Sequence, residues 1–279
     1  MPRQPGQVLR AGVLGSPIAH SLSPVLHRAG YAAAGLEGWA YEAHEVDAAG
    51  LPAFVAGLDE RWRGLSLTMP LTEVAAGVAP SVDEVASRAG AVNTLVRRTD
   101  GGWDATNTDV LGVARALRPH VGDGVSRALV IGAGATARSA VLALAELGVT
   151  TLTVRARDTA RAADLLAWAL DHGIRSGSVA GIGPWLTTRD DVVVSTVPAT
   201  AGDAVAATVP AAHAGVLLDV VYAGWPTPLA RAAAAAGMTV VSGLDLLVHQ
   251  AAEQFRLFTG HEAPVEAMAA AGRAALGEA

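Results

Sequence analysis

The chain has no cysteine, which excludes disulfides, thiolate metal sites and a cysteine nucleophile. It has no lysine either: all 20 of its basic side chains are arginines. Any reaction that needs a lysine amine must therefore find another group here. Basic charge is in short supply as well. Twenty arginines against 26 acidic residues give a net charge of −6, which leaves no electrostatic footprint for nucleic acid. Although 51% of the residues are hydrophobic, no uninterrupted apolar run reaches the roughly 18 residues that cross a bilayer. The opening MPRQPGQ is polar and leads into VLRAGVLG without the apolar core and cleavage pattern of a secretory signal. The 8 histidines are scattered, with no pair at the i, i+4 spacing of a helical zinc site, so no metal is expected. What remains is a cytoplasmic protein, monomer or homodimer, that acts on small molecules and binds neither nucleic acid nor membrane.

What is present reads as alternating strands and helices over a length of 279 residues, enough for two domains. Val8 to Leu14 predicts a strand, and Ser23-Pro24 opens a helix with Ser23 as its cap. Trp39 to Val46 predicts a second strand, Ala48 to Ala56 a helix, and Gly64 to Thr68 a buried strand stopped by Pro70. Ser81 with Glu84 has the form of a capping box, and Ala91 to Val96 predicts another strand. Beyond Asn107 the pattern is regular: helices at Asp109, Thr136, Thr159 and Pro228, and strands at Ala128, Thr151, Val192, Val216 and Thr239. The fold class is α/β, an N-terminal α/β domain followed by a Rossmann-type, doubly wound parallel sheet. The first domain covers 1–107 and the second 108–248. The last helices, over 249–279, have no strand between them and are expected to return to the first domain.

Strand Ala128 to Ile131 runs straight into Gly132-Ala133-Gly134-Ala135-Thr136-Ala137 and a helix. In that context glycines let backbone amides approach a pyrophosphate seated at the positive end of the helix. At the end of the next strand, where an NAD site usually carries an acid for the ribose 2′-hydroxyl, stand Arg155 and Arg157, with Arg161 following. Arginine clamps a 2′-phosphate through charge-assisted hydrogen bonds, so the expected cofactor is NADP.

With these pieces placed, the chain resembles the shikimate dehydrogenase family along nearly its full length. The match is carried by Gly15 to Pro24 (GSPIAHSLSP), Ser66 to Pro70 (SLTMP), Gly90 to Thr94 (GAVNT), Asn107-Thr108-Asp109, the glycine loop, and Tyr222 through Gln250. The resemblance implies that Ser21, Ser23, Thr68, Asn93, Asp109, Tyr222 and Gln250 line a site for a hydroxylated cyclohexene carboxylate. It also implies that Val220 and Gly243 join the cofactor site. Two serine hydroxyls suit a carboxylate; Asn, Asp and Gln suit a ring of hydroxyls. His20 and His27 flank the serines but have no carboxylate partner visible in sequence, so neither is expected to act as acid or base.

The chain departs from the family where a lysine is expected to follow Pro70: it has Leu71-Thr72. Oxidation of a secondary alcohol needs its hydroxyl proton removed as hydride leaves, and a lysine paired with Asp109 would serve. Threonine is neither base nor cation. Milder departures are Ser66 in place of a frequent asparagine, Ala156 before Arg157, Ala223-Gly224 and Asp245-Leu246. The sequence reads as an NADP-dependent enzyme interconverting shikimate and 3-dehydroshikimate, with Asp109 as surviving catalytic residue and Thr72 in the lysine's place. The alternatives are a binding paralogue without turnover, a variant inactivated by engineering, or a dehydrogenase for quinate or an amino analogue.

Overall fold

The computed structural model describes residues 8–183 and 191–277. They form two compact units, 1–108 with 248–279, and 109–247.

The first unit is built on β1 (Leu9–Gly15), β2 (Trp39–Glu45), β3 (Trp62–Leu67), β4 (Ser81–Val82), β5 (Thr94–Arg97) and β6 (Trp103–Thr106). Their order is β2-β1-β3-β5-β6-β4. β1 pairs parallel with β2 and β3, whereas β5 is antiparallel to both β3 and β6. The sheet is therefore mixed. The helices that connect its parallel strands are α1 (Ser23–Ala33) and α2 (Leu51–Ala56); α3 (Glu84–Ala89) precedes the β5–β6 hairpin.

Two apolar clusters cover the sheet. One gathers Leu14, Leu51, Val55, Trp62, Leu65, Leu71 and Leu95. The other gathers Ala11, Val13, Tyr31, Tyr41, Phe255 and Phe258. The last two come from α9 (Gly243–Thr259), and α10 (Val265–Leu276) lies against α1. Phe255 and Met268 both crowd Gly30 of α1, where a Cβ would come within 3.0 Å of the Phe255 ring.

Several local expectations change. α1 begins at Ser23 itself, and the preceding residue, Leu22, is its N-cap with no side-chain bond. Instead the Ser23 N–H donates to Ser21 Oγ at 3.3 Å, and Pro24 in the first turn has no amide proton that needs a cap. The capping box at Ser81 is absent too. Ser81 is drawn into β4 beside Asp104, and Asp83 caps α3 by accepting from the Ala86 N–H at 2.8 Å. Strand β6 and, in the second unit, β9 are additional to the strands the sequence predicts.

The second unit is a six-stranded parallel sheet in the order β12-β11-β10-β7-β8-β9. Its strands are β7 (Arg127–Ile131), β8 (Thr151–Arg155), β9 (Ser176–Ala180), β10 (Val192–Ser195), β11 (Val216–Asp219) and β12 (Thr239–Ser242). α4 (Asp109–Leu117) leads into β7, and α5 (Ala135–Glu146), α6 (Thr159–Leu170), α7 (Gly202–Ala206) and α8 (Pro228–Ala235) lie between successive strands. Val192, Val193, Val194, Leu217 and Leu218 are all fully buried, as strands covered by helices on both faces require. The order reverses at β7, and it is there that the glycine loop leaves the sheet. Among the described residues no helix is long and apolar enough to cross a membrane.

Candidate active site

In the first unit the loops after β1 and β3 come together. The Ser16 N–H donates to the Met69 carbonyl at 3.1 Å, and the Thr68 N–H to the Leu14 carbonyl at 2.9 Å. Gly15 permits this approach, since a Cβ there would sit 2.4 Å from Thr68 Cγ2. Ser21 is half-buried and Ser23 buried, and because Ser21 Oγ accepts from the Ser23 amide its proton is available to a ligand. Thr68 is exposed. Thr72 lies in a 3₁₀ turn, Leu71–Glu73, with its carbonyl accepting from the Val92 N–H at 2.7 Å. Its half-buried hydroxyl has no hydrogen-bond partner among the described residues.

Asn93 and Gln250 are buried, at 3% and 6% exposure, and are joined through Thr108. Asn93 Nδ2 donates to Thr108 Oγ1 at 3.1 Å, and Thr108 Oγ1 to Gln250 Oε1 at 3.3 Å. Asn107 serves the backbone, donating from Nδ2 to the Ala91 carbonyl at 3.0 Å. Asp109, half-buried, is the next residue after Thr108 and the first of α4. Asp109 and Tyr222 belong to the second unit, the other substrate candidates to the first. Burial pushes the Tyr222 phenol up from its ordinary value.

Of the two flanking histidines, His20 is exposed. His27 is fully buried, and burial brings its imidazole down to about 3, the neighbouring Gln254 amide opposing that only in part. A ring that stays neutral throughout the physiological range is a packing element. Three residues that the sequence reading did not assign to the site support Asn93: Thr108, Ser66 and Gln254. The one sequence signal for Gln254 is its position four residues after Gln250, which sets both on one face of α9.

In the second unit β7 ends at Ile131 and the chain turns at Gly132, where φ is +116° and a Cβ would lie 2.2 Å from Thr196 Oγ1. Only glycine fits there. α5 opens at Ala135 with Gly134 as its N-cap, no side-chain cap and no acid in its first turn. A Cβ on Gly134 would meet nothing within 4 Å, and Gly134, Ala135 and Thr136 are half-buried at the helix start. Ala137, at the third position of the motif, is fully buried against the sheet. A glycine turn leading into an uncapped helix N-terminus is the arrangement that can hold a pyrophosphate.

The arginines differ. Arg155 is 4% exposed, and its Nη1 donates to the Gly183 carbonyl at 2.6 Å and to that of Gly181 at 3.4 Å. Arg157 and Arg161 are exposed and have no ion pair with any described residue. Asp158 between them caps α6, accepting from the N–H groups of Ala160 and Arg161. Gly243 packs against the backbone after β11, with a Cβ placed 2.2 Å from the Val220 carbonyl oxygen. Asp219, at the end of β11, accepts from Thr227 Oγ1 at 2.7 Å, and burial raises its carboxyl. Thr227 in turn caps α8, so this pair pins the Val220–Tyr222 segment. No group of three or more metal-ligating side chains occurs among the described residues.

Comparison with known proteins agrees along the chain. The family model described as shikimate dehydrogenase substrate binding domain matches residues 13–95, and that of the shikimate 5'-dehydrogenase C-terminal domain matches 243–271. The shikimate dehydrogenase (NADP(+)) of Halobacterium salinarum is 39% identical over 274 residues, covering 95% of this chain and 98% of the relative. Shikimate dehydrogenase from Mycobacterium tuberculosis superposes with a TM-score of 0.84 at 45% identity, over 95% of this chain and 99% of that one. The Thermus thermophilus shikimate 5-dehydrogenase solved with NADP(H) and shikimate has a TM-score of 0.82 at 32% identity, over 96% of this chain and 100% of the other.

Proposed function

The chain belongs to the shikimate dehydrogenase family, and from that premise we propose that it binds NADP and shikimate and interconverts shikimate with 3-dehydroshikimate through a weakened proton relay. The observation that carries the proposal is that the chain has both a glycine turn at the α5 N-terminus, Gly132–Thr136, in one unit and the Ser21, Ser23, Asn93 and Gln250 polar set in the other. The residues fit the cofactor: Gly132 leaves the space a Cβ would fill, and the N-terminus of α5 has neither cap nor acid. Exposed Arg157 and Arg161 supply positive charge for a 2′-phosphate. When bound, NADP supplies the hydride acceptor for alcohol oxidation and, reduced, the donor for the reverse.

The protein's own part is to orient the ring and move one proton. Ser21 and Ser23 hydrogen-bond the substrate carboxylate, and Asn93 and Gln250 meet ring hydroxyls that would otherwise be desolvated without a partner. Asp109 accepts the proton of the reacting hydroxyl. A lysine beside it would share that proton and, as an ammonium, polarise the ketone in the reverse direction. Thr72 offers a neutral hydroxyl, so Asp109 works alone or through water. The loss of a general acid/base typically lowers the rate about 10²- to 10⁴-fold.

The absence of any lysine favours a second reading, a protein that kept both pockets and lost the reaction. Steady-state NADPH formation with shikimate, quinate and an amino analogue separates the two. Slow but saturable turnover of shikimate supports the proposal. Saturable binding of shikimate with no NADPH above the uncatalysed rate supports the second reading.

A further inference from the structure

Between α2 and the β5–β6 hairpin lies a cavity of about 390 Å³ that shares no residue with the substrate or cofactor sets. Its size falls within the roughly 300–1,000 Å³ of small-molecule sites, which pair apolar walls with a few placed polar groups. Here the apolar wall is Val55 of α2, Leu58 just beyond that helix, and Val78 at the end of the 3₁₀ turn Ala75–Val78. Arg97, the last residue of β5, and Trp103, the first of β6, are directly opposite each other in the hairpin and complete the lining.

Among the described residues that line the cavity, Arg97 alone is charged. Its guanidinium carbon lies 4.9 Å from the centroid of the buried Trp103 ring. Stacking takes up one face of the guanidinium and leaves the N–H donors around its edge unused. Half-buried Arg97 has neither a side-chain hydrogen bond nor an ion pair among the described residues. The carboxylates closest to it in sequence are already taken, since Arg98 holds Asp100 at 2.8 Å and Asp104 at 3.2 Å. A half-buried cation beside an apolar wall, its donors edge-on and no acid in the lining to meet them, suits an anion.

We propose that this cavity binds a small carboxylate with an apolar body, the carboxylate in the plane of the Arg97 guanidinium and the body against Val55, Leu58 and Val78. The lining also decides what is refused. An α-amino acid of the same shape would bring its ammonium to Arg97 with no acid to receive it. Shikimate would set its ring hydroxyls against apolar side chains that cannot pair with them, so it is not the ligand of this site.

The probe is 3-phenylpropanoate, titrated by calorimetry into the whole chain, with phenylalanine, 3-phenylpropanol and inorganic phosphate as comparisons. We expect saturable binding of the probe at millimolar concentration, and binding at least about tenfold weaker for the other three. Arg97→Gln, which removes the charge at a half-buried position, should lower affinity for the probe at least about tenfold. In NMR the indole N–H of Trp103, identified by its loss in Trp103→Phe, should move as the probe is added. The double variant Ser21→Ala with Ser23→Ala should bind the probe as the parent does, which separates this site from the one proposed for the substrate carboxylate. No saturable binding, affinity retained in Arg97→Gln, an unmoved Trp103 signal, or any of the three comparison compounds bound as tightly as the probe overturns the inference. Loss of binding in the serine double variant also overturns it, by placing the probe in the substrate site. If Arg97→Gln does not fold, Gly77→Leu serves in its place: Gly77 lines the cavity and a Cβ there meets nothing within 4 Å, so the larger side chain takes up cavity space without a backbone clash. Undiminished binding of the probe by that variant overturns the proposal too.

Discussion

His27 lies face to face with Tyr41, ring centroids 4.0 Å apart and planes 8° from parallel. Among the described residues neither imidazole nitrogen has a hydrogen-bond partner, and the ring sits among Tyr31, Phe255 and Phe258. A cation at this position would be both desolvated and unpaired, and burial accordingly holds His27 near 3 against an ordinary 6.5. Its sign for stability follows. Between those values the unfolded chain binds a proton that the folded chain refuses, so this group contributes nothing above about pH 6.5 and destabilises progressively as pH falls toward 3. The slope from one such group is about 1.4 kcal/mol per pH unit. His27→Phe should keep the stacking and remove that slope. Urea midpoints of parent and variant at pH 7 and pH 4 check it: the gap between them should shift in favour of the variant at pH 4, and an unchanged gap would mean that His27 is charged or solvated.

The three arginines near β8 separate into different tasks. Arg155 is committed to the Gly181 and Gly183 carbonyls, whereas Arg157 is exposed and has no ion pair among the described residues. Arg157→Glu should therefore lower the ratio of NADP to NAD affinity at least about tenfold, since an attraction to the 2′-phosphate becomes a repulsion. Arg155→Leu should instead weaken both cofactors together and lower the melting temperature, because buried carbonyls lose their donor. Calorimetric titration of each variant with both cofactors is the check. A selective effect at Arg155 and none at Arg157 would reverse the assignment.

Ser21 and Ser23 give a third test. With Ser21 Oγ already accepting from the Ser23 amide, its proton points the pair toward an acceptor such as a carboxylate. Millimolar shikimate should raise the melting temperature of the parent, and the double variant Ser21→Ala with Ser23→Ala should lose that shift while keeping the one given by NADP. A shift retained by the double variant would place the carboxylate elsewhere.

Much of the second unit could be read from sequence because parallel strands covered on both faces are continuous apolar runs. The starts of β8, β10, β11 and β12 are predicted to the residue, and that of β7 within one. Strand β9 was not legible: Ser176-Gly-Ser-Val-Ala is an edge strand with a half-exposed, polar face and no periodicity to mark it. Strand β6 was hidden by shortness, four residues after a polar turn. The substrate set was legible only through its motif, since Ser, Asn and Asp more often cap and turn than bind. What supports Asn93 could not be read, because Gln254 reaches it across 161 residues of sequence. Arg155 and Arg157 look alike in sequence; only the paired strands show one turned inward and the other out.

Thr72 carries the last prediction. Its hydroxyl has no hydrogen-bond partner among the described residues and its backbone is held by Val92, so the position is fixed while the side chain is replaceable. Thr72→Lys introduces the only lysine in the chain, at the place the family match assigns to the missing amine. If the proton relay limits turnover, the gain should appear in kcat and not in KM, because the amine's contribution is greatest in the transition state. It could approach the 10²- to 10⁴-fold, in order of magnitude, that a general acid/base contributes. Adding Asp109→Asn in that background should remove most of the gain, since two groups that share one proton act as a unit. The measurement is the initial rate of NADPH formation at saturating NADP and shikimate for parent, single and double variants. A Thr72→Lys protein that binds shikimate as the parent does and turns over no faster would show that proton transfer is not limiting, and would move attention to the placement of the nicotinamide by Val220, Gly243 and the unusual Asp245-Leu246 pair.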